Sequence, residues 1–74
     1  MEIRDTVRMA NHIGDFFKSY GETEAIEGIA EHINKFWEPR MRNTFFKHLD
    51  TGGEGLSEIV KKSAAKVKRP REAA

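Results

Sequence analysis

The sequence contains no cysteine among its 74 residues. Disulfide bonds, thiolate zinc sites and iron–sulfur ligation are therefore excluded. A chain of this length forms one small domain, and such domains often gain much of their stability from a disulfide, a metal or a partner. The composition therefore favours a chain whose core is small and which is stabilised by a partner.

Long apolar runs are lacking as well. The N-terminal stretch Met1–Asp5 has no apolar segment of the kind found in signal peptides. No apolar run approaches the roughly 20 residues that a membrane-spanning helix requires. We therefore expect a soluble, cytoplasmic protein that does not cross a membrane.

The patterns that carry catalysis or bind metals are missing too. The three histidines, His12, His32 and His48, lie on different predicted helices, and no pair has i, i+4 spacing. No nucleophile elbow is present and no pair of carboxylates lies within an apolar stretch. The run Gly52-Gly53-x-Gly55 lacks the Walker and dinucleotide-binding patterns and is typical of a turn. We predict no catalytic, cofactor-binding or metal-binding residue in this chain.

The net charge of +1 hides an asymmetry between the two parts of the chain. Residues 1–60 contain seven Lys/Arg against eleven Asp/Glu, a net charge of −4. Residues 61–74 contain six Lys/Arg against one Glu, a net charge of +5. The body of the chain is mildly acidic and its C-terminal end is basic.

Apolar residues recur at helical spacing in the first half of the chain. We predict a first helix that Asp5 caps and that runs to about Tyr20. Gly14 lies in its middle and indicates a close approach to another helix. A second helix runs from about residue 22 to Trp37, since its apolar residues follow the i, i+3, i+4, i+7 pattern. Gly21 separates these two helices.

The second half of the chain predicts two further helices. The third runs from Pro39 to about Asp50, and the fourth, shorter one covers about residues 56–67, where Ser57 can serve as a cap. Beyond Val67 the apolar content is too low to fold. The sequence therefore predicts an all-α fold, a small bundle of three to four short helices over residues 1–67, with a disordered basic tail over residues 68–74.

The basic end offers an alternative function for the chain. It could bind nucleic acid or an acidic protein surface through the cations Lys61, Lys62, Lys66, Lys68, Arg69 and Arg71. Against nucleic acid, the rest of the chain is net negative and no aromatic residue lies between these cations. We favour a solvated end, and a stand-alone helical module that binds through the tail stays the alternative.

Aromatic residues form three adjacent pairs, Phe16-Phe17, Phe36-Trp37 and Phe45-Phe46. Neighbours on a helix point about 100° apart, so both rings of a pair are buried only if the apolar arc is wide. Three wide arcs exceed what one small core needs. Either all six rings share the core, or one ring of each pair belongs to a protein–protein interface, where aromatic residues and arginine are enriched.

The second of these pairs lies at a predicted corner between two helices. Pro39 ends the incoming helix near Trp37 and suits the first turn of the next helix. We predict a partner-binding site at this corner and the adjoining helix, formed by Phe36, Trp37, Arg40, Met41, Arg42 and Phe46. Two questions stay open: whether Trp37 is a core residue or an interface anchor, and whether Arg40 and Arg42 bind a partner or pair locally, for example with Glu38.

The residues of the corner also carry a family resemblance. The chain resembles the delta subunits of bacterial NAD-dependent formate dehydrogenases that contain molybdenum or tungsten. The resemblance covers about residues 7–60, and Phe36-Trp37-x-Pro39-Arg40-Met41-Arg42 is its most specific part. The other matching segments are Arg8-Met9-Ala10-Asn11-x-Ile13, Phe16-Phe17, Ala30-x-His32-Ile33-x-Lys35 and Gly52-Gly53-x-Gly55-Leu56-Ser57.

The resemblance implies a non-catalytic accessory subunit of a larger enzyme. In that family the catalytic alpha subunit holds a molybdopterin cofactor and iron–sulfur clusters, and further subunits pass electrons through FMN to NAD. The delta subunit would dock on the alpha subunit and support its assembly, cofactor maturation or stability. An assembly chaperone that binds the catalytic subunit only before cofactor insertion is another interpretation. A self-associating bundle is also open, because a second copy of the chain could cover the surplus apolar surface.

Overall fold

The computed structural model describes residues 2–69, which form four α-helices. In chain order these are α1 (Ile3–Phe17), α2 (Glu22–Phe36), α3 (Pro39–Asp50) and α4 (Glu58–Ser63). Single 3-10 turns, Lys18–Tyr20 and Ala64–Lys66, follow α1 and α4. Residues 2–69 contain no strand, and the predicted all-α class is confirmed.

The ends of the helices follow local chemistry, with two differences from the prediction. The prediction that Asp5 caps α1 is wrong: α1 begins at Ile3, and Asp5 forms a 3.1 Å ion pair with Arg8 in the first turns. The first turn is closed instead by the Thr6 amide, which donates to the Glu2 carbonyl oxygen. The fourth helix ends at Ser63, earlier than predicted, because the next three residues tighten into a 3-10 turn.

The core lies around α2, which packs against α1 and α4, while α1 also contacts α3. Ile29, Ile33 and Val60 are completely buried. Gly14 brings α1 and α4 together, since a Cβ added there would lie 2.9 Å from Val60 Cγ2. The predicted close approach at this glycine is confirmed.

The loop between α3 and α4 is held by the side chain of Asn11 in α1. Its Nδ2 donates to the Gly55 carbonyl oxygen at 2.9 Å, and its Oδ1 accepts from the Ser57 amide at 3.0 Å. Gly52, Gly53 and Gly55 all have positive φ angles, which glycine adopts without strain. The glycine run is therefore a turn between helices, as the sequence predicts.

Candidate partner interface

The predicted corner between α2 and α3 is present. Trp37 and Glu38 are extended, with ψ angles of 129° and 156°, and Pro39 occupies the first turn of α3. The Trp37 amide donates to the Ile33 carbonyl oxygen at 3.0 Å, which closes the last turn of α2. Two helices thus meet through a two-residue connection whose direction is set by the fixed φ of Pro39.

Two of the six predicted partner-binding residues lie in the core. Trp37 and Phe46 are each only 5% exposed. The Trp37 ring meets the completely enclosed Phe45 ring edge-on, with centroids 5.8 Å apart, and Phe45 meets Phe46 at 5.5 Å. In the described chain Trp37 is a core residue, and the pair Phe45-Phe46 shares that core.

Two other predicted residues, Phe36 and Arg40, are exposed at the same corner. Phe36 is 69% exposed, and its ring contacts His32 one turn earlier in α2, with centroids 4.8 Å apart. Trp37 follows α2 in extended backbone with its ring in the core, while Phe36, the last residue of α2, stays outside. The Arg40 side chain is also exposed, and Met41 beside it is half-buried.

Arg42 contacts the backbone of Lys68, 26 positions further along the chain, a contact that the sequence does not predict. Its Nη1 donates to the Lys68 carbonyl oxygen at 2.9 Å. Its Nε is buried and has no hydrogen-bond partner within residues 2–69. Arg42 therefore ties the segment after α4 to α3 and does not pair with Glu38.

The segment Val67–Arg69, which we call the C-terminal strap, lies across α2 and α3. Asn34 holds its backbone on both sides: Nδ2 donates to the Lys66 carbonyl oxygen at 3.2 Å, and the Lys68 amide donates to Oδ1 at 2.8 Å. Val67 is buried in the core. Lys68 and Arg69 belong to the predicted basic tail, and the rest of that tail, residues 70–74, lies outside the described residues.

Arg69 ends the strap over Phe46. Its guanidinium donates to both carboxylate oxygens of Asp50, at 2.9 Å and 3.4 Å. The hydrogen bond from Arg69 lowers the pKa of Asp50 below its usual value, and the same bond raises the pKa of Arg69. The guanidinium carbon also lies 4.3 Å from the centroid of the Phe46 ring, a cation–π contact.

Most of the described cations in the basic end are paired with carboxylates of the helices. Lys62 contacts Glu22 at 3.1 Å and Lys66 contacts Glu27 at 3.3 Å, both across the boundary between α2 and the segment that contains α4. Together with Arg69 these cations neutralise acidic side chains of the bundle. Within residues 61–69 the charge asymmetry seen in the sequence is thus partly used to hold the fold together.

A second group of exposed apolar residues lies where α1 passes α2. Phe16 and Tyr20 are 67% and 53% exposed, and both rings contact Phe17 between them, at 5.0 Å and 5.6 Å. Phe16 and Phe17 form one of the adjacent aromatic pairs, and this surface lies outside the predicted partner-binding site. The spacing of His12, Phe16 and Tyr20 at i, i+4 and i+8 is the signal that could have found it.

The histidines and carboxylates of the described chain do not assemble a metal centre. Residues 2–69 contain no group of three or more His, Cys, Asp or Glu side chains that could hold an ion. His48 lies 2.6 Å from the Glu54 carbonyl oxygen through Nε2, a hydrogen bond that joins α3 to the loop before α4. No helix in this part of the chain is long and apolar enough to cross a membrane.

The observations define a small all-α protein with an exposed aromatic surface. A family model described as the NADH-dependent formate dehydrogenase delta subunit FdsD matches residues 6–64. Because this match covers more than half of the 74 residues, the chain belongs to that family, and the resemblance of the sequence is confirmed. Comparisons with curated proteins and with solved structures give no match.

Proposed function

We propose that this delta-subunit family member is a non-catalytic accessory subunit of a cytoplasmic, NAD-dependent formate dehydrogenase. It docks on the molybdopterin-containing catalytic alpha subunit and supports the assembly, cofactor maturation or stability of that subunit. The observation that carries the proposal is the family match over residues 6–64. A delta subunit is by description one part of a complex, so a surface that contacts another subunit is expected.

The docking site that we propose is the corner between α2 and α3. Phe36 and Arg40 are its direct contacts, since both side chains are exposed. Docking removes the apolar surface of an exposed phenylalanine from water, which is favourable. A guanidinium can bind a carboxylate or a pair of carbonyls with two parallel hydrogen bonds. Trp37, Phe46 and Arg42 act from within by fixing the position of the two helices that present these contacts, and Met41 lies at the edge of the site.

A non-catalytic role fits the chemistry of the chain. One described cavity is lined by His48, Thr51 and Glu54. The Thr51 hydroxyl donates to backbone carbonyl oxygens, and His48 Nε2 lies against the Glu54 carbonyl oxygen, so no base is placed to activate a nucleophile there. The sequence has no cysteine for an iron–sulfur cluster. In the proposed complex the molybdopterin cofactor, the iron–sulfur clusters and FMN belong to the other subunits.

Co-purification tests the proposal. All subunits are expressed together, the alpha subunit carries an affinity tag, and the cofactor-loaded and cofactor-free forms are separated. We expect the full chain in stoichiometric amount with at least one form. Recovery with both forms indicates a stabilising role, and recovery with the cofactor-free form alone indicates a role in maturation. Absence from both forms contradicts the proposal.

Arg40→Ala tests the position of the docking site. We expect this substitution to weaken recovery of the chain while its helical circular dichroism is unchanged. Arg4→Ala is the matched control, because Arg4 is also an exposed cation but lies in the first turn of α1. Equal recovery of the two variants contradicts a direct contact at Arg40.

A further inference from the structure

The C-terminal strap follows one row of side chains along α3. Arg42, Phe46 and Asp50 are spaced at i, i+4 and i+8 and therefore project from the same side of the helix. We call these three residues the α3 row. The carbonyl oxygen of Lys68 accepts from Arg42, and the guanidinium of Arg69 lies over Phe46 and binds Asp50. The strap thus contacts every member of the row.

Most contacts that hold the strap are exposed to water. The two hydrogen bonds from Asn34 are exposed, and the side chains of the ion pair between Arg69 and Asp50 are 60% and 58% exposed. Val67 is buried, whereas Lys68 and Arg69 are not. Exposed ion pairs contribute little to stability, and segments with few buried contacts open at a lower free energy than the core. The strap can therefore open while the helices stay packed.

The closed strap satisfies Arg42 only in part. The carbonyl oxygen of Lys68 accepts a hydrogen bond from Nη1, but Nε is buried and has no partner within residues 2–69. A buried donor without an acceptor raises the free energy of the closed form. An occupant that offers acceptors to both Nη1 and Nε satisfies this side chain more fully than the strap does.

The contacts of the strap show which chemistry the α3 row binds. Arg42 donates to a carbonyl oxygen at one end of the row. At the other end the Phe46 ring and the Asp50 carboxylate together hold a guanidinium. A segment that takes the place of the strap therefore needs a hydrogen-bond acceptor followed by a cation.

We propose that the strap is an autoinhibitory cover, which the catalytic subunit displaces with a segment that has an acceptor at Arg42 and an arginine or lysine at Phe46 and Asp50. This inference rests on the proposed function, because it takes the partner from the family. In the closed form Arg42 and Phe46 act from within, and displacement of the strap makes them direct contacts. The row begins two positions after Arg40, so it extends the docking site from the corner along α3.

Arg69→Ala distinguishes an autoinhibitory strap from a purely structural one. With the tagged alpha subunit and the full chain, we expect affinity to rise by about threefold or more, because the row is uncovered in a larger fraction of molecules. Lys62→Ala is the matched control and should bind like the wild type. It also loses an exposed ion pair, with Glu22 at 3.1 Å, but lies outside the strap. Circular dichroism checks that both variants fold.

The outcomes of this comparison separate the two proposals. Wild-type binding together with equal or weaker binding by Arg69→Ala overturns the autoinhibitory cover and leaves the proposed function intact. Absence of binding by the wild type and by both variants overturns the proposed function, and the cover with it.

Asp50→Asn tests the chemistry of the occupant. This substitution also removes the ion pair that holds the strap, but it takes away the carboxylate that would receive the cation of the partner. We expect its affinity for the alpha subunit to be about threefold or more below that of Arg69→Ala, since a charge-assisted hydrogen bond is lost. Equal affinities of these two variants overturn the assignment of a cation to this end of the row.

Hydrogen exchange at the Lys68 amide shows whether the strap is displaced. In the closed form this amide donates to Asn34 Oδ1 at 2.8 Å. We expect it to exchange faster in the assembled complex than in the free chain, while the amide of the completely buried Ile33 stays protected. Unchanged or slower exchange at Lys68 overturns the displacement. Exchange that becomes faster with the concentration of this chain alone indicates that copies swap straps, and it overturns the assigned occupant.

Discussion

The guanidinium of Arg69 lies over the ring of Phe46 while it donates hydrogen bonds to Asp50. Nineteen positions separate the ion pair along the chain. The strap therefore covers a face of the Phe46 ring that would otherwise be open to solvent. Both Phe46 and Val67 of the strap belong to the core.

Removing Arg69 should loosen this closure. We expect Arg69→Ala to lower the midpoint of thermal unfolding more than Arg8→Ala does. Both arginines form exposed ion pairs, with Asp50 and Asp5, but only Arg69 also contacts an aromatic ring. Thermal unfolding followed by circular dichroism compares the two variants. An equal shift would show that the contact with Phe46 adds nothing to the stability.

The same contact predicts a dependence of stability on pH. Since Arg69 lowers the pKa of Asp50 from its usual 3.8, the charged carboxylate favours the folded state. This contribution is present at neutral pH and disappears as the pH falls through the lowered pKa, because protons then bind the folded state as well. The difference in unfolding midpoint between the wild type and Asp50→Asn should therefore shrink below pH 4.

The control for this pH experiment is Asp15→Asn. Asp15 is exposed on α1 and has no salt bridge within residues 2–69. Its substitution should leave the acid limb of the pH profile nearly unchanged. Added salt should also reduce the effect at Asp50, since exposed ion pairs are screened. A difference at Asp50 that persists unchanged at the lowest pH would contradict the assignment.

Gly14→Ala should destabilise the bundle even though alanine favours helices. The added methyl meets Val60, a β-branched and completely buried side chain, at 2.9 Å. Overpacking of a core costs about 1–3 kcal/mol, against a gain of up to about 1 kcal/mol in helix propensity. A net loss of up to about 2 kcal/mol is expected in urea unfolding. A gain in stability would show that α1 and α4 can separate without cost.

Trp37 and Phe36 should respond in opposite ways to truncation. Trp37→Ala removes a buried ring and should cost about 3–5 kcal/mol, which is most of the stability of a small domain. Phe36→Ala removes an exposed ring and should change the free energy of unfolding by at most about 0.5 kcal/mol. Chemical unfolding measures both. A folded Trp37→Ala variant with near-wild-type stability would contradict a core role and favour Trp37 as an interface anchor.

Local chemistry explains why the sequence predicted the helices well. Pro39 ends one helix and starts the next through its own ring, so α3 begins where expected. Gly21 and the glycine run act through φ angles that other residues rarely adopt. Asp5 is misassigned because a short acidic side chain suits a cap and a first turn equally. The burial of Thr6, whose amide and hydroxyl both donate to the Glu2 carbonyl oxygen, decides between them.

The candidate site was only partly predictable. Periodicity indicates which residues share a face of a helix, as it does for the apolar residues of α2, but it does not say which faces another segment will cover. Phe46 was assigned to a partner, and the structure covers it with Arg69, which comes 23 positions later. Arg42 was likewise expected to meet a partner or Glu38, and it holds the Lys68 carbonyl oxygen.

The sequence by itself determined the helical class, the helix ends at proline and glycine, and the family, because each depends on residues that are close together in the chain. Only the tertiary structure decided which ring of each aromatic pair is exposed. The Phe36-Trp37-Glu38-Pro39 corner shows the reason: two neighbouring rings have similar hydrophobicity, and Phe45 of α3 packs against Trp37 while Phe36 stays exposed.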